Sequence, residues 1–388
     1  MLALRPTEVH PFQKGSDMSI EIVRPSRLYE TIRAIYYFIG IDVLQEGQLK
    51  RIQRTANAIH EISQILATLI FLFYLIVNMI IFARENNAVI YDYVMPSFNN
   101  AATFYFYRVQ KNSYRKFLEV FECLDDFGSY LPSTKNFSNL KKQCARVIRY
   151  IIVYNILVIF VEPIYVLYIG YSKDEMAVMY WLNEFEGYQK VLCYVFGYFV
   201  ISLRGMILKS NIGLFIVNYA MTCFLIKEAC ILQWRMLKKK DSFNLELLYQ
   251  KLSETVQIID NKLNFMAFLS FTILFTHIFT CVCEIFFGKN NSLQFGFVCI
   301  SFLQGTAGFL IIAFFGSMVS EAGKNIQTKA MMLDPDVYIE HPETMLKYQK
   351  FELHVTLWNA IPLQRNLMGT IFEILISYVV VTGAVQNA

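Results

Sequence analysis

The closing stretch of the chain, Lys350 to Ala388, reads KFELHVTLWNAIPLQRNLMGTIFEILISYVVVTGAVQNA. It begins polar and aromatic, meets Pro362 and Arg365, and ends in an apolar run. That run is about twenty residues long, enough to cross a ~30 Å hydrocarbon core at ~1.5 Å per residue. Within it Asn366, Glu373, Ser377, Tyr378, Thr382 and Gln386 recur on one or two helical faces. A helix surrounded by lipid has no use for such groups, because each must find a protein or water partner. The fold turns on whether this span lines a pore or only packs against its neighbours.

The rest of the chain makes it a membrane protein. Its 388 residues are 55% hydrophobic and 17% charged, with mean hydropathy +0.39, whereas soluble domains are about 45–50% apolar. The net charge of +4 is small and unevenly placed, so the basic residues set topology, and nucleic acid is a poor partner. No basic segment followed by a short apolar core opens the chain, so the first span is expected to direct insertion. The eight cysteines lie in apolar runs or basic loops, which implies no extracellular disulfide framework. Cys281 and Cys283 form a C-x-C without companion ligands and are read as buried thiols, not a metal site. There is no Gly-rich phosphate loop, no H-E-x-x-H and no nucleophile arrangement, so neither an enzyme nor a cofactor is expected.

Apolar runs give an all-α integral membrane protein with seven spans, at about 63–83, 88–108, 147–170, 191–208, 263–288, 293–319 and 366–386. Residues 1–61 precede them as a cytoplasmic segment holding LYETIRAIYYFIGIDVL, Leu28 to Leu44, too short to span and read as interfacial or re-entrant. The 109–145 loop contains an amphipathic RKFLEVFECLDDFGSYL, expected to pack as a helix at the membrane-proximal surface. After Lys190 the chain stays apolar to well beyond Lys209. One span over 191–208, running on as a cytoplasmic helix toward Lys240, keeps the basic run 238–240 inside. Residues 62–388 then form a seven-helix transmembrane domain, with cytoplasmic extensions at 209–262 and 320–365 read as long amphipathic helices of an anchor. Of the 35 Lys and Arg, 29 fall on the side of the N-terminus and 4 on the other, with Arg204 and Lys209 inside the fourth span. The positive-inside rule therefore places the N-terminus in the cytoplasm and the C-terminus outside. A G-protein-coupled receptor has seven spans in the opposite orientation; such a metabotropic receptor, or a transporter, is the alternative from another class.

With that topology the segment HVTLWNAIPLQRNLMGTIFEILISYVVVTGAVQNA resembles the C-terminal signature of the arthropod chemoreceptor superfamily, the gustatory branch more than the odorant branch. His354, Ala360, Arg365, Leu367 and Tyr378 sit where the pattern asks. Ser377 replaces Thr, Ala384 takes the place of Gln, Gln386 lies two residues late, and the terminal Phe is absent. VSEAGKNIQTKAMML, after the sixth span, and IYYFIGIDVL, before the first, also look like family features. The resemblance implies a homo- or heterotetrameric, ligand-gated, non-selective cation channel in the plasma membrane of chemosensory neurons. The last span would line the pore, and each subunit would bind a small tastant or odorant in the outer half of its bundle.

Several aromatic and polar residues fall in that outer half and are candidate ligand contacts: Tyr91, Tyr93, Glu162, Tyr165, Tyr168, Tyr194, Tyr198, His277 and Glu284, with Gln304 near mid-depth. Pockets for small molecules are largely apolar with a few placed polar groups, which this set matches; packed or interfacial aromatics would look the same. On the last span Tyr378, Val381, Val385 and Gln386 form one stripe, spaced i, i+3, i+7 and i+8. A ring of Val can close a pore by dewetting, and Val also suits lipid. Glu373 is either a cation-attracting ring or the partner of a basic group on a neighbouring helix. Of the sequons at Asn136 and Asn290, the first is expected inside and the second hard against the membrane.

Overall fold

The computed structural model describes five helices, a hairpin and scattered further residues; the description covers 90–112, 186–204, 210–238, 242–287, 292–332 and parts of 61–79, 119–123, 353–363 and 369–381, with isolated 164 and 346. The helices are α1 (Ile90–Asn112), α2 (Tyr188–Arg204), α3 (Ser210–Lys238), α4 (Ser242–Phe287) and α5 (Ser292–Met331). The expected cytoplasmic segment 1–61, with its short interfacial or re-entrant helix, and the third span expected over 147–170 otherwise lie outside the described residues. Among the described residues three helices, α3, α4 and α5, are long and apolar enough to cross a membrane.

Two of these far exceed what a bilayer needs. At ~1.5 Å rise per residue, the 46 residues of α4 and the 40 of α5 reach about 69 Å and about 60 Å, twice a ~30 Å hydrocarbon core. They carry no interior proline, so nothing in their covalent chemistry interrupts the hydrogen-bond ladder. On α4 three hydroxyls are satisfied locally: Thr272, Thr276 and Thr280 each donate to the carbonyl four residues back at 2.9 Å, so none of the three needs a partner from outside the helix.

α3 is the centre of the chain. Ile212, Phe215, Ile216, Tyr219, Cys223, Ile226 and Cys230 are all buried, as are most residues between them, with Gly213, Phe224, Lys227 and Glu228 half-buried, so the helix is covered around most of its circumference. This differs from the amphipathic extension expected over 211–262. α3, whose described residues begin at Ser210, has most of its surface covered by the rest of the chain. A helix hydrophobic all round belongs in a large core or in lipid, and sequence periodicity does not distinguish the two. One core joins α3 to Leu252–Ile273 of α4, Ile312–Ala330 of α5, Phe106 of α1 and Val120. Phe106 meets Phe215 edge-on, ring centroids 5.6 Å apart, and Lys329 of α5 stands over the Trp234 ring of α3 at 5.1 Å. The described part of the 109–145 loop is helical and docks on α4, where Glu119 pairs with Lys262 and Cys123 reaches the Thr255 hydroxyl at 3.6 Å.

Between α5 and the terminal span lies a small antiparallel hairpin, β1 (Thr356–Leu357) with β2 (Ile361–Pro362), paired Thr356↔Pro362 and Leu357↔Ile361. Here the expected helix over 320–362 gives way to a turn. The cause is visible in the alternation Leu353, Val355, Leu357, every second residue buried, which is a strand period. Glycines on α5 receive it. A Cβ at Gly316 would stand 2.5 Å from the Leu363 side chain, and one at Gly323 would stand 3.0 Å from Leu353, so a side chain at either position would force its leucine to shift.

Candidate functional site

The terminal helix follows that hairpin, and its described residues between Gly369 and Val381 are helical. Ile371 faces the chain's own interior and joins Ile278, Phe279 and Cys283 of α4 and Phe309 of α5 in a second apolar cluster. At ~100° per residue, Glu373, Ser377 and Val380 point away from Ile371, and all three are exposed. Ile374, Ile376 and Val381 are exposed too, so among the described side chains of this helix Ile371 alone is buried. The Ser377 hydroxyl donates to the Glu373 carbonyl at 2.8 Å, which leaves the Glu373 carboxylate as the polar group of that face.

Of the expected pore stripe only Val381 is described, at the edge of the exposed arc. Tyr378, Val385 and Gln386 lie outside the described residues in side-chain terms. The outward face therefore centres on Glu373 and Ser377, roughly 100° around the helix from the Tyr378–Val385 stripe.

His277 and Glu284 are half-buried, seven residues apart on one face of α4, with Cys281 between them, its sulfur 3.8 Å from His277 Nε2. The His277 ring lies flat enough on α5 that a Cβ at Gly305 would be 2.9 Å from its Cδ2. Gln304, next to Gly305, is exposed, so the structure does not bring it to His277. Tyr194 and Tyr198 share the half-buried edge of α2, whose opposite face of Val191, Leu192, Val195, Phe196 and Phe199 is bare. Tyr91 and Tyr93 fall in the first turns of α1. Glu162, Tyr165 and Tyr168 lie outside the described residues.

Two further groups tie these regions together, and only the first had a sequence signal, the β-branched Val355–Thr356 pair. Asp260 of α4 accepts two hydrogen bonds from Thr356 of β1, from its backbone N–H at 2.7 Å and its hydroxyl at 2.8 Å. Such bonds to a carboxylate are about twice as strong as neutral ones. The second is the cluster around Ile371, since Ile278 neighbours His277. α4 thus holds the terminal helix at two levels, through packing at Ile371 and through the Asp260 clasp on the hairpin that precedes it.

This arrangement superposes on known structures over almost its whole length. The insect olfactory receptor OR5 from Machilis hrabei matches with a TM-score of 0.69 at 12% identity, covering 93% of this chain and 99% of that one. The fold is that of an insect olfactory receptor. The same receptor in complex with eugenol matches with a TM-score of 0.67 at 12% identity, over 94% of this chain and 100% of that one. No protein-family model matches the sequence, and no curated protein matches it.

Proposed function

We propose that the chain is a subunit of a chemosensory, ligand-gated, non-selective cation channel of the arthropod chemoreceptor type. The observation that carries this is the terminal helix. It presents a carboxylate and a hydroxyl on a face turned away from its own chain, a costly arrangement in lipid that suits an aqueous path shared by several copies. Seven spans, a cytoplasmic N-terminus, an extracellular C-terminus and a tetramer in the plasma membrane complete the reading, supported by the charge asymmetry and the fold. A small amphiphile would bind among the α2 tyrosines and the His277–Glu284 face and act on the terminal helix through Ile371. The C-terminal motif favours a taste role; the eugenol-bound neighbour favours an odorant role.

Patch-clamp recording from cells expressing the chain, with eugenol as first probe and a panel of sugars and bitter compounds after it, tests the proposal. Ligand-evoked, weakly cation-selective current is expected. Glu373→Lys is expected to cut cation conductance several-fold, and Glu373→Gln less. A response that requires G protein and shows no intrinsic conductance, or an extracellular N-terminal tag, would replace the channel by the metabotropic alternative.

A further inference from the structure

The joint between α1 and α3 carries a concentration of buried amides that the proposed function does not use. Phe106 and Phe215 mark where the two helices meet. One helical turn from Phe106 on the same face of α1 is Gln110, and within one turn of Phe215 on either side of it are Asn211 and Asn218 of α3. Gln110 and Asn211 are 0% exposed and Asn218 is 1% exposed. In all three, both the carbonyl oxygen and the amide nitrogen lack a hydrogen-bond partner among the described residues. Asn211 and Asn218, seven residues apart, lie on one line of α3, and the arc between that line and Tyr219 holds Phe215. Whichever way α1 runs along α3, Gln110 reaches the level of one of the two asparagines.

We propose that these carboxamides bind a cluster of ordered water that bridges α1 to α3. The chemistry selects water over an ion. Each amide presents a donor and an acceptor together, so a cation would satisfy the oxygens and leave the N–H groups bare, and an anion would do the reverse. Water serves both, and a polar site with several converging partners is where buried water is held. The occupant sits within a single chain, so the inference stands apart from the channel reading.

The sign of a stability change tests it. In purified full-length protein, Asn218→Leu and Gln110→Leu are each expected to lower the melting temperature, followed by tryptophan fluorescence, by about 2–4 °C. The double variant should lose less than the sum, because the second change removes a group already cut from its network. If the amides were buried dry and alone, each leucine would remove an unpaired polar group and raise the melting temperature, and that result overturns the proposal. A melting temperature that tracks sodium when choline replaces it would overturn it in favour of a cation. A density map of the unmodified chain, fine enough to show ordered water, decides the point without any substitution. Water density within hydrogen-bond reach of two of the three amides is expected, and amides bonded directly to one another would refute it.

Discussion

α3 and the terminal helix are both apolar stretches, yet 78% of the most apolar part of α3 is buried inside the chain while Ile376 and Val380 of the terminal helix are 64% and 65% exposed. The difference lies in who supplies the neighbours. α3 finds most of its neighbours within its own chain, whereas among the described side chains of the terminal helix Ile371 alone is buried and the others are exposed. α5 lies between them, with 28% of its most apolar part buried. Hydropathy thus says what a helix avoids and is silent on what it touches. The two kinds of contact also differ in origin. A helix that leaves water gains from apolar burial, but a helix already in lipid gains only from tighter packing and from hydrogen bonds.

The contrast can be broken most forcefully at Phe215. Replacing it with alanine should destabilise the folded chain by about 3–5 kcal/mol, seen as loss of monodisperse protein and a lower melting temperature. A variant that stays fully stable would mean that α3 is not the centre of the core. Asp260→Ala comes next. It removes hydrogen bonds to a charged acceptor, a loss of roughly 1.5–3 kcal/mol, and should shift ligand sensitivity as well as stability if the hairpin transmits a signal. Unchanged dose–response curves in a destabilised protein would confine the clasp to a structural part. Val380→Ala should be felt least in the fold, within about 0.5 kcal/mol, and most in unitary conductance. A large stability loss there would show that the terminal helix has neighbours within its own chain.

Much of this was readable from residues. Helices lie where the sequence has apolar runs: α1 covers Ile90–Asn112 against the run 88–108, α4 ends at Phe287 and α5 begins at Ser292, although of these three α4 and α5 alone are long and apolar enough to cross a membrane. Those are long apolar runs bounded by polar turns, where local sequence decides. α3 was misjudged, because enclosure by other segments is a tertiary property that an apolar helix does not advertise. The hairpin was missed because a five-residue alternation is too short to outweigh the helical pattern around it. The outward face of the terminal helix depends on which side Ile371 is pinned to, and that is fixed by α4 and α5, far away in sequence.

The uninterrupted length of α4 makes it a lever. It crosses α5 closely at Leu274, whose side chain lies 3.3 Å from where a Cβ at Gly308 would stand. Asp260 is four turns away from that fulcrum on one arm, and His277 sits almost on it, with Glu284 out along the other. A rocking of only about 5° would carry Asp260, roughly 21 Å out at ~1.5 Å per residue, through about 2 Å. A hydrogen bond of 2.7 Å does not survive that displacement, so a slight tilt at the Glu284 end is enough to unhook the hairpin from its clasp.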